Sequence, residues 1–295
     1  MKLATFTHNG DTRIGIVDGE EILDLRAAAP DLPDEMCALL EAGDDALTAA
    51  RAALAKGGAR FPLAGVRLES PILRPPKILA IGVNYRDHVE EAKAGGMKIP
   101  EFPVVFNKQS TAAHPPYEPF HMPRASSALD YEGELGMVIG KRCRHVPRER
   151  AREVIAGYTV VDDVTVRDWQ LRTPTFTMGK SFDTHCPMGP WITTADELPD
   201  PHCLDLKTWV NGELRQSSNT KHLIFDCDAL IEHLSTAFTL EPGDVIPTGT
   251  PAGVGIAMKP PHLLKVGDVV RIAIDGIGEI ENAVVAEPAE TARIG

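Results

Sequence analysis

The sequence is poor in the features of secreted and membrane proteins. Only five of its 295 residues are cysteine, and these are scattered, odd in number and form no Cys-x-x-Cys pair. This usage favours reduced thiols over a disulfide framework. The N-terminus lacks the apolar segment of a signal peptide, and no run approaches the roughly 18 apolar residues that a membrane span needs. We therefore expect a cytoplasmic chain without a membrane partner.

Positive charge is also scarce. The chain has 30 Lys and Arg residues against 42 Asp and Glu residues, which gives a formal net charge of −12. A nucleic-acid surface needs a basic patch, so we expect no nucleic-acid partner. An acidic chain can still bind an anionic substrate through a local metal ion or a few cationic side chains. The hydrophobic fraction of 43% is sufficient for a sizeable core.

The first part of the chain reads as a small separate unit. Residues 1–25 alternate apolar and polar positions between turn signals, which predicts a short hairpin. Residues 34–56 are rich in Ala and Leu at helical spacing, which predicts a helix. The proline-rich stretch 71–77 is the best candidate for a boundary. We predict a small N-terminal domain, residues 1–70, and a main domain, residues 71–295.

Strand-like segments outnumber helical ones after this boundary. One helix is expected near Asp87, which could cap it, up to Gly95-Gly96, and another at residues 226–238. Asn211-Gly212 predicts a hairpin turn. With few helices between the strands, we predict an α+β fold with a β-rich core rather than a doubly wound parallel sheet. The predicted strands cover residues 78–83, 103–107, 134–140, 157–161, 206–210 and 268–274.

Two carboxylates stand two residues apart in the segment LDYEGELGMVIGK, residues 129–141. On a strand, this spacing places Glu132 and Glu134 on one face, about 6–7 Å apart. An isolated pair of this kind is usually a solvated strand face. Here the strand continues into an apolar run, and a buried acidic pair is costly unless a cation lies between its members. The pair therefore predicts a site for a hard divalent cation.

A third carboxylate could complete this site. Asp162, Asp163 and Asp168 follow an apolar strand in the segment VVDDVTVRDWQ. Three carboxylates and water form an oxygen-only site that suits Mg²⁺, with Mn²⁺ as the alternative. The residues alone leave open which aspartate it is, and a turn or a helix cap explains Asp162 and Asp163 equally well.

Three further segments carry groups that could act on a substrate. Lys180 lies in a segment of low charge and is either a surface lysine or a cation that faces substrate oxygens. His88 and Glu91 share a helix face, and a carboxylate beside an imidazole supports a general base. Taken alone, an exposed helical pair is the simpler interpretation. The glycine-rich loop of residues 240–255 would let backbone amides and the Thr250 hydroxyl approach a ligand.

The order of these segments is more specific than any one of them. IGVNYRDHVEE, LDYEGELGMVIGK, VDDVTVRDWQ, GKSFDTHCPMGP and LEPGDVIPTGTPAGVG follow one another between about Lys77 and Asn282. Together they resemble the fumarylacetoacetate hydrolase family, in particular its subgroup of acylpyruvases and 2-hydroxyhepta-2,4-diene-1,7-dioate isomerases. The resemblance implies a mixed β-sandwich roll for the main domain, which would be catalytic, and a homodimer.

The resemblance also implies roles for individual residues. Glu132, Glu134 and Asp163 match the three metal-binding carboxylates, and Lys180 matches a lysine that faces the substrate. His88 and Glu91 match a dyad on a lid, which activates water in family hydrolases. Positions that contact substrate carboxylate or oxo groups match Arg167, Gln170 and Thr250. The sequence departs from common family forms at Asp162, where Asn is frequent, and at His185, where Phe is common.

The activity implied by the resemblance is chemistry at a pyruvate enolate. The first hypothesis is a Mg²⁺-dependent hydrolase that cleaves the C–C bond of a 2,4-dioxo acid of the acylpyruvate or fumarylpyruvate type. The second is an isomerase or decarboxylase of aromatic catabolism, acting on hydroxymuconate-type acids or oxaloacetate. A catalytically inactive metal-binding scaffold is the alternative from another class, although a scaffold has no reason to keep the carboxylates, Lys180 and His88 together.

Overall fold

A computed structural model of the chain describes residues 1–92, 99–198 and 200–291. The predicted helix end at Gly95-Gly96 lies outside the described residues. No helix in the described ranges is long and apolar enough to cross a membrane. All five cysteines carry free thiols, as expected.

The first 70 residues form an antiparallel meander with helices packed on it. The expected hairpin gains a third strand, because Gly10 and Gly19 both adopt the left-handed φ values that tight turns need. The expected single helix is divided in two at Gly43, whose φ is 80°, and it ends at Gly57. The elements are β1 Lys2–His8, β2 Asp11–Asp18, β3 Glu21–Asp24, α1 Leu25–Ala28, α2 Met36–Glu41, α3 Gly43–Lys56, β4 Arg60–Pro62 and β5 Arg67–Leu68.

The rest of the chain is dominated by strands. All six predicted strands are confirmed, with ends shifted by one or two residues, and Asn211-Gly212 forms the turn between two paired strands. The strands are β6 Ile78–Gly82, β7 Val104–Lys108, β8 Ala113–His114, β9 Phe120–Met122, β10 Leu129–Asp130, β11 Gly133–Ile139, β12 Ile155–Asp162, β13 Thr165–Val166, β14 Cys186–Thr194, β15 Asp205–Val210, β16 Glu213–Asn219, β17 Val245–Pro247, β18 Val269–Ile274 and β19 Gly278–Ala286.

Helices are few and short after residue 77. Asp226 caps the longest of them by accepting a hydrogen bond from the Ala229 amide, because its carboxylate can reach a free amide of the first turn. Asp87 lies in the first turn of its helix rather than at the cap. The α-helices are α4 Arg86–Ala92, α5 Arg167–Gln170, α6 Thr177–Lys180 and α7 Cys227–Ala237. Short 3-10 helices cover Leu63–Gly65, Ser110–Ala112, Arg148–Val154, Ala195–Glu197, Thr220–His222 and Gly255–Ala257.

Two sheets pack face to face, so the predicted α+β fold with a β-rich core is confirmed. The large sheet has the strand order β4-β3-β2-β1-β14-β12-β11-β17-β6-β7, and the smaller sheet the order β16-β15-β18-β19-β9. Strand β1 pairs with β14, so the N-terminal meander continues the large sheet. The division of the chain into domains at residues 71–77 stays a prediction.

Strand β11 lies in the middle of the large sheet and is buried on both faces. Leu135, Met137 and Ile139 point into the core between the sheets, where they join Ile272 of β18. Val138 points to the other side, into the core that the N-terminal helices cover. A carboxylate at the start of this strand is therefore carried into the interior, because neither face of the strand meets water.

Candidate active site

The structure brings together three carboxylates that the sequence separates. One carboxylate oxygen from each of Glu132, Glu134 and Asp163 lies within 4.8 Å of the others. All three side chains are buried. Glu134 lies in β11, Glu132 directly precedes it, and Asp163 directly follows β12, whose end pairs with the start of β11. The spacing of two residues and the antiparallel register thus place three acids at one end of the sheet.

Three cationic side chains surround these acids. The Lys180 ammonium lies 2.8 Å from Glu132 Oε2 and 2.7 Å from Asp163 Oδ2. The Lys108 ammonium lies 2.6 Å from Asp163 Oδ1. Lys108 lies in none of the five ordered segments, and a lysine at the end of a strand is usually predicted to be exposed. Strand alternation with Phe106 is the one sequence signal that indicates its burial, because positions i and i+2 share a face.

Arg167 is the third cation, and its own acidic partner is Asp130. The Arg167 Nε donates to Asp130 Oδ2 at 2.9 Å, while Nη1 lies 2.6 Å from Glu132 Oε1 and donates to Gln170 Oε1 at 3.1 Å. Nη2 lies 2.8 Å from Asp130 Oδ2 but outside hydrogen-bonding geometry. Arg167 and Gln170 therefore lie beside Glu132, and Nη2 keeps a donor for a further partner.

The described residues do not balance the charge at this site. Among them, five buried carboxyl groups face three buried cations, so full ionisation would leave two negative charges in excess: the acids are Asp130, Glu132, Glu134, Asp162 and Asp163, and the cations are Lys108, Arg167 and Lys180. Burial opposes the ionisation of Glu132, but Lys180 and Arg167 outweigh it and lower its pKa to about 2.

Two of these acids, Glu134 and Asp162, have raised pKa values, which disfavours their charged forms. Burial, Asp163 and Glu132 raise the pKa of Glu134 well above its usual range. Burial raises the pKa of Asp162 to about 7. Asp162 Oδ1 accepts a hydrogen bond from the Glu132 amide at 2.9 Å, and its other oxygen is buried without a hydrogen-bond partner among the described residues. A divalent cation among the three clustered carboxylates would remove this imbalance, so the donor set fits Mg²⁺ or Mn²⁺.

Asp168 does not share the site, although it lies in the same motif. Its side chain is about half exposed and accepts a hydrogen bond from the Ser126 hydroxyl at 2.6 Å. Of the three aspartates that the sequence leaves open, Asp163 alone joins the cluster with Glu132 and Glu134.

The predicted dyad lies on helix α4. His88 Nδ1 is 3.4 Å from Glu91 Oε2, and both side chains are mostly buried. Glu91 Oε1 also accepts a hydrogen bond from the Gly253 amide at 3.0 Å. His88 is close enough for a charge on its ring to lower the pKa of Glu132. Val83, just before the helix, adopts a φ of 57°. This value is strained for a β-branched residue, and such backbone strain clusters at functional sites.

The glycine-rich loop after β17 contacts both the carboxylates and the dyad. The Gly249 amide donates to Glu134 Oε2 at 2.6 Å. Gly253 has a φ of 102°, and a Cβ there would lie 2.0 Å from the Arg215 carbonyl oxygen, so only glycine fits. The Thr250 hydroxyl donates to the Gly133 carbonyl at 3.0 Å and accepts from Gln216 at 2.8 Å. In the structure the Thr250 hydroxyl therefore anchors this loop to Gly133 and Gln216. Its contact with substrate stays a prediction.

His185, where the family resemblance leads one to expect Phe, is fully buried. Its ring lies against Phe182 and Phe120, with centroid distances of 5.4 and 6.3 Å. Its Nε2 lies 2.7 Å from the His121 carbonyl oxygen, so it is the protonated nitrogen. In the described part of the chain, Nδ1 is buried and has no hydrogen-bond partner. Burial lowers the pKa of His185 to about 3, so the ring is neutral at physiological pH.

A buried neutral histidine makes the folded state sensitive to acid. Its pKa is lower in the folded than in the unfolded chain, so stability falls as the pH drops below about 6.5. In His185→Phe this loss is absent. As the pH falls from 6.5 to 5, we expect the free energy of unfolding of the variant to rise relative to wild type by roughly 1.6 kcal/mol in total. Urea unfolding at several pH values measures it, and a difference that does not change with pH would contradict the assignment.

Two models of known protein families match nearly the whole chain. Residues 77–285 match the family model described as fumarylacetoacetate (FAA) hydrolase C-terminal. The chain belongs to the fumarylacetoacetate hydrolase family. Residues 1–71 match a second model, described as Rv2993c-like, N-terminal. The resemblance read from the five ordered segments, with the fold it implies, is thereby confirmed.

Individual relatives of the family differ in activity. The chain is 43% identical to the mitochondrial oxaloacetate tautomerase fahd2 of Xenopus laevis, over 97% of this chain and 90% of the relative. It is 39% identical, with a TM-score of 0.82, to maleylpyruvate hydrolase from Sphingobium sp. SYK-6 in complex with manganese(II) and pyruvate, covering 98% and 100% of the two chains. It is 33% identical, with a TM-score of 0.77, to 2-hydroxyhepta-2,4-diene-1,7-dioate isomerase from Mycobacterium marinum, covering 97% and 99%.

Proposed function

We propose that the protein is a metal-dependent enzyme that moves a proton at the carbon next to the carbonyl of a short 2-oxo acid, with keto–enol tautomerisation of oxaloacetate as the leading candidate. The observation that carries this is the buried cluster of Glu132, Glu134 and Asp163, where the described carboxyl groups outnumber the described cations by two. The similarity to oxaloacetate tautomerases over nearly the whole chain supports the choice of substrate.

The carboxylate cluster would hold the cation, and the cationic side chains would complement the substrate. A Mg²⁺ or Mn²⁺ ion bound by Glu132, Glu134 and Asp163 would supply the Lewis-acid charge that stabilises an enolate. The attraction of Asp163 and Glu132 outweighs burial and raises the pKa of Lys180, which therefore keeps its charge. A fixed ammonium beside the carboxylates favours a ligand that becomes more negative during the reaction. Arg167 Nη2 is the donor available for a substrate carboxylate.

His88 is the proposed base. Its Nδ1 faces Glu91, so Nε2 is the nitrogen that accepts a proton from C3 of oxaloacetate. The electron pair of the broken C–H bond forms the C2–C3 double bond. The proton taken by His88 is then returned to the 2-oxo oxygen, which completes the enol and restores the neutral base. Glu91, held by the Gly253 amide, fixes the orientation of the ring.

Hydrolysis of a 2,4-dioxo acid is the second candidate. The same His88 would take a proton from water, the hydroxide would attack the 4-oxo carbon, and cleavage of the C3–C4 bond would leave a pyruvate enolate. The similarity to maleylpyruvate hydrolase supports this candidate. Both reactions pass through an enolate at the same place, so the carboxylates and cations serve either one equally.

A small panel of substrates separates these reactions. We expect the protein with Mn²⁺ or Mg²⁺ to accelerate the loss of enol absorbance from oxaloacetate without release of pyruvate, and EDTA to stop it. Pyruvate and acetate from acetylpyruvate would instead support the hydrolase, and pyruvate and CO₂ from oxaloacetate a decarboxylase, each corrected for the metal alone. No turnover of any of these acids would contradict the proposal and favour a scaffold.

The same assays with His88→Gln test the base. Turnover should fall by about 10²- to 10⁴-fold, because a positioned general base contributes that much. The affinity for Mn²⁺ should stay near wild type, because His88 is not one of the clustered ligands. His222→Gln, at an exposed histidine, is the matched control. Equal loss of turnover and metal affinity in His88→Gln would point to a structural role.

A further inference from the structure

One carboxylate outside the metal cluster accepts an unusual number of hydrogen bonds. Asp130 is fully buried at the end of β10. Its Oδ1 accepts from the Tyr131 amide at 3.0 Å and the Gly255 amide at 2.8 Å. Its Oδ2 accepts from Arg167 Nε at 2.9 Å and the Ile256 amide at 3.0 Å. Asp130 therefore fixes one side chain and one loop at the same time.

The fixed side chain acts on a proposed metal ligand. With Nε held by Asp130, the guanidinium plane of Arg167 presents Nη1 to Glu132 Oε1 at 2.6 Å. The other oxygen, Oε2, is held by Lys180. The orientation of the Glu132 carboxylate therefore depends on the orientation of the Arg167 guanidinium. The planar, rigid guanidinium constrains the carboxylate more tightly than a flexible lysine ammonium would.

The glycine-rich loop contacts a second proposed metal ligand and the His88–Glu91 dyad. The Gly249 amide of this loop holds Glu134, and the Gly253 amide holds Glu91 of the dyad. Asp130 holds the far end of the loop through Gly255. A Cβ at Gly255 would lie 2.6 Å from Asp130 Oδ1, so the loop and the carboxylate meet without space between them.

We propose that Asp130 is a positioning residue for the site, although it touches neither the cation nor the substrate. Through Arg167 it orients Glu132, and through the glycine-rich loop it orients Glu134 and the dyad. This rests on the metal site of the proposed function but not on the identity of the reaction. Its test can therefore fail independently of the substrate assays.

The first measurement is Mn²⁺ affinity by calorimetry on the metal-free full chain. Asp130→Asn keeps the shape but cannot accept all four hydrogen bonds. We expect about 10- to 100-fold weaker Mn²⁺ binding, the usual effect of losing a partner that orients a ligand. Asp168→Asn removes an exposed acid next to Arg167 and should bind as wild type does. Wild-type affinity in a folded Asp130→Asn protein would overturn the proposal, as would a wild-type chain that binds no Mn²⁺.

A double-mutant cycle separates positioning from a general loss of structure. If Asp130 acts through Arg167, Asp130→Asn combined with Arg167→Met should bind Mn²⁺ at least about threefold more tightly than the product of the single losses. The EPR spectrum of Mn²⁺ bound to Asp130→Asn should differ from wild type, because a rotated Glu132 changes the ligand field. Independent losses with an unchanged spectrum would overturn the proposal.

A second variant covers the case in which Asp130→Asn does not fold. Arg167→Lys keeps the charge but loses the rigid fork that links Asp130 to Glu132. About tenfold weaker Mn²⁺ binding in this variant would support the route through Arg167. Wild-type Mn²⁺ affinity in Arg167→Lys would overturn it.

Discussion

Glu134→Gln is expected to abolish metal-dependent turnover and leave the metal-free protein as stable as wild type. Without a cation, burial, Asp163 and Glu132 raise the pKa of Glu134 well above its usual range, which shifts the group towards its neutral form. A neutral amide of the same shape can still accept the hydrogen bond from the Gly249 amide and donate towards the neighbouring carboxylates. The metal-free free energy of unfolding should therefore change by less than about 1 kcal/mol.

The same substitution removes one of three anionic ligands. Turnover should fall by more than about a thousandfold, because the stabilising charge at the developing enolate is lost. Calorimetry with Mn²⁺ and urea unfolding in EDTA measure the two effects separately. Asp162→Asn is the matched control: it alters a neighbouring buried acid outside the cluster and should retain Mn²⁺ binding. Normal Mn²⁺ binding by Glu134→Gln would remove this residue from the metal site.

Lys108→Met is expected to give the largest loss of stability. The Lys108 and Asp163 side chains are both fully buried, and their charged atoms lie 2.6 Å apart. Methionine has a similar length but leaves Asp163 Oδ1 buried without its cation. Removing one partner of a buried ion pair typically costs about 3–5 kcal/mol, because the remaining charge stays out of water. Since Lys180 still pairs with Asp163 Oδ2, we expect the lower end of this range, about 3 kcal/mol.

An exposed ion pair provides the control for this prediction. Lys141 lies 2.7 Å from Asp44, with side-chain exposures of 46% and 71%, so water already screens both charges. Lys141→Met should cost at most about 1 kcal/mol. Urea unfolding of both variants in EDTA gives the comparison. Equal losses for the two lysines would show that the Lys108 pair does not stabilise the fold.

Six strands of the main domain could be predicted from the sequence because their apolar runs are short and bounded by turn residues. Strand β11 is the clearest case, since an apolar run directly follows the two glutamates. The N-terminal 70 residues were only partly predicted. The helix expected as one segment is divided into α2 and α3 at Gly43. Helical periodicity continues through this position, so the pattern by itself does not reveal the break.

The sequence identified candidate site residues only within the five ordered segments. Glu132, Glu134, Asp163 and Lys180 lie in ordered segments, and the structure brings their charged groups together. Lys108 and Asp130 were missed as members of the site, because their partners lie 55 and 37 residues away in the sequence. A charged side chain at a strand end has no local pattern that distinguishes a buried ion pair from a solvated surface.

The sequence by itself determined the family, the β-rich fold and the acids proposed to bind a divalent cation. The order of the five segments carries the family and the fold, and period-two spacing pairs Glu132 with Glu134. Only the tertiary structure showed that Asp163, which the resemblance had named, lies beside Glu132 and Glu134 while Asp168 does not, and that five buried carboxyl groups face three buried cations among the described residues. The physical reason is that charge balance in a buried site depends on which side chains meet across strands. Chain connectivity alone does not specify those contacts.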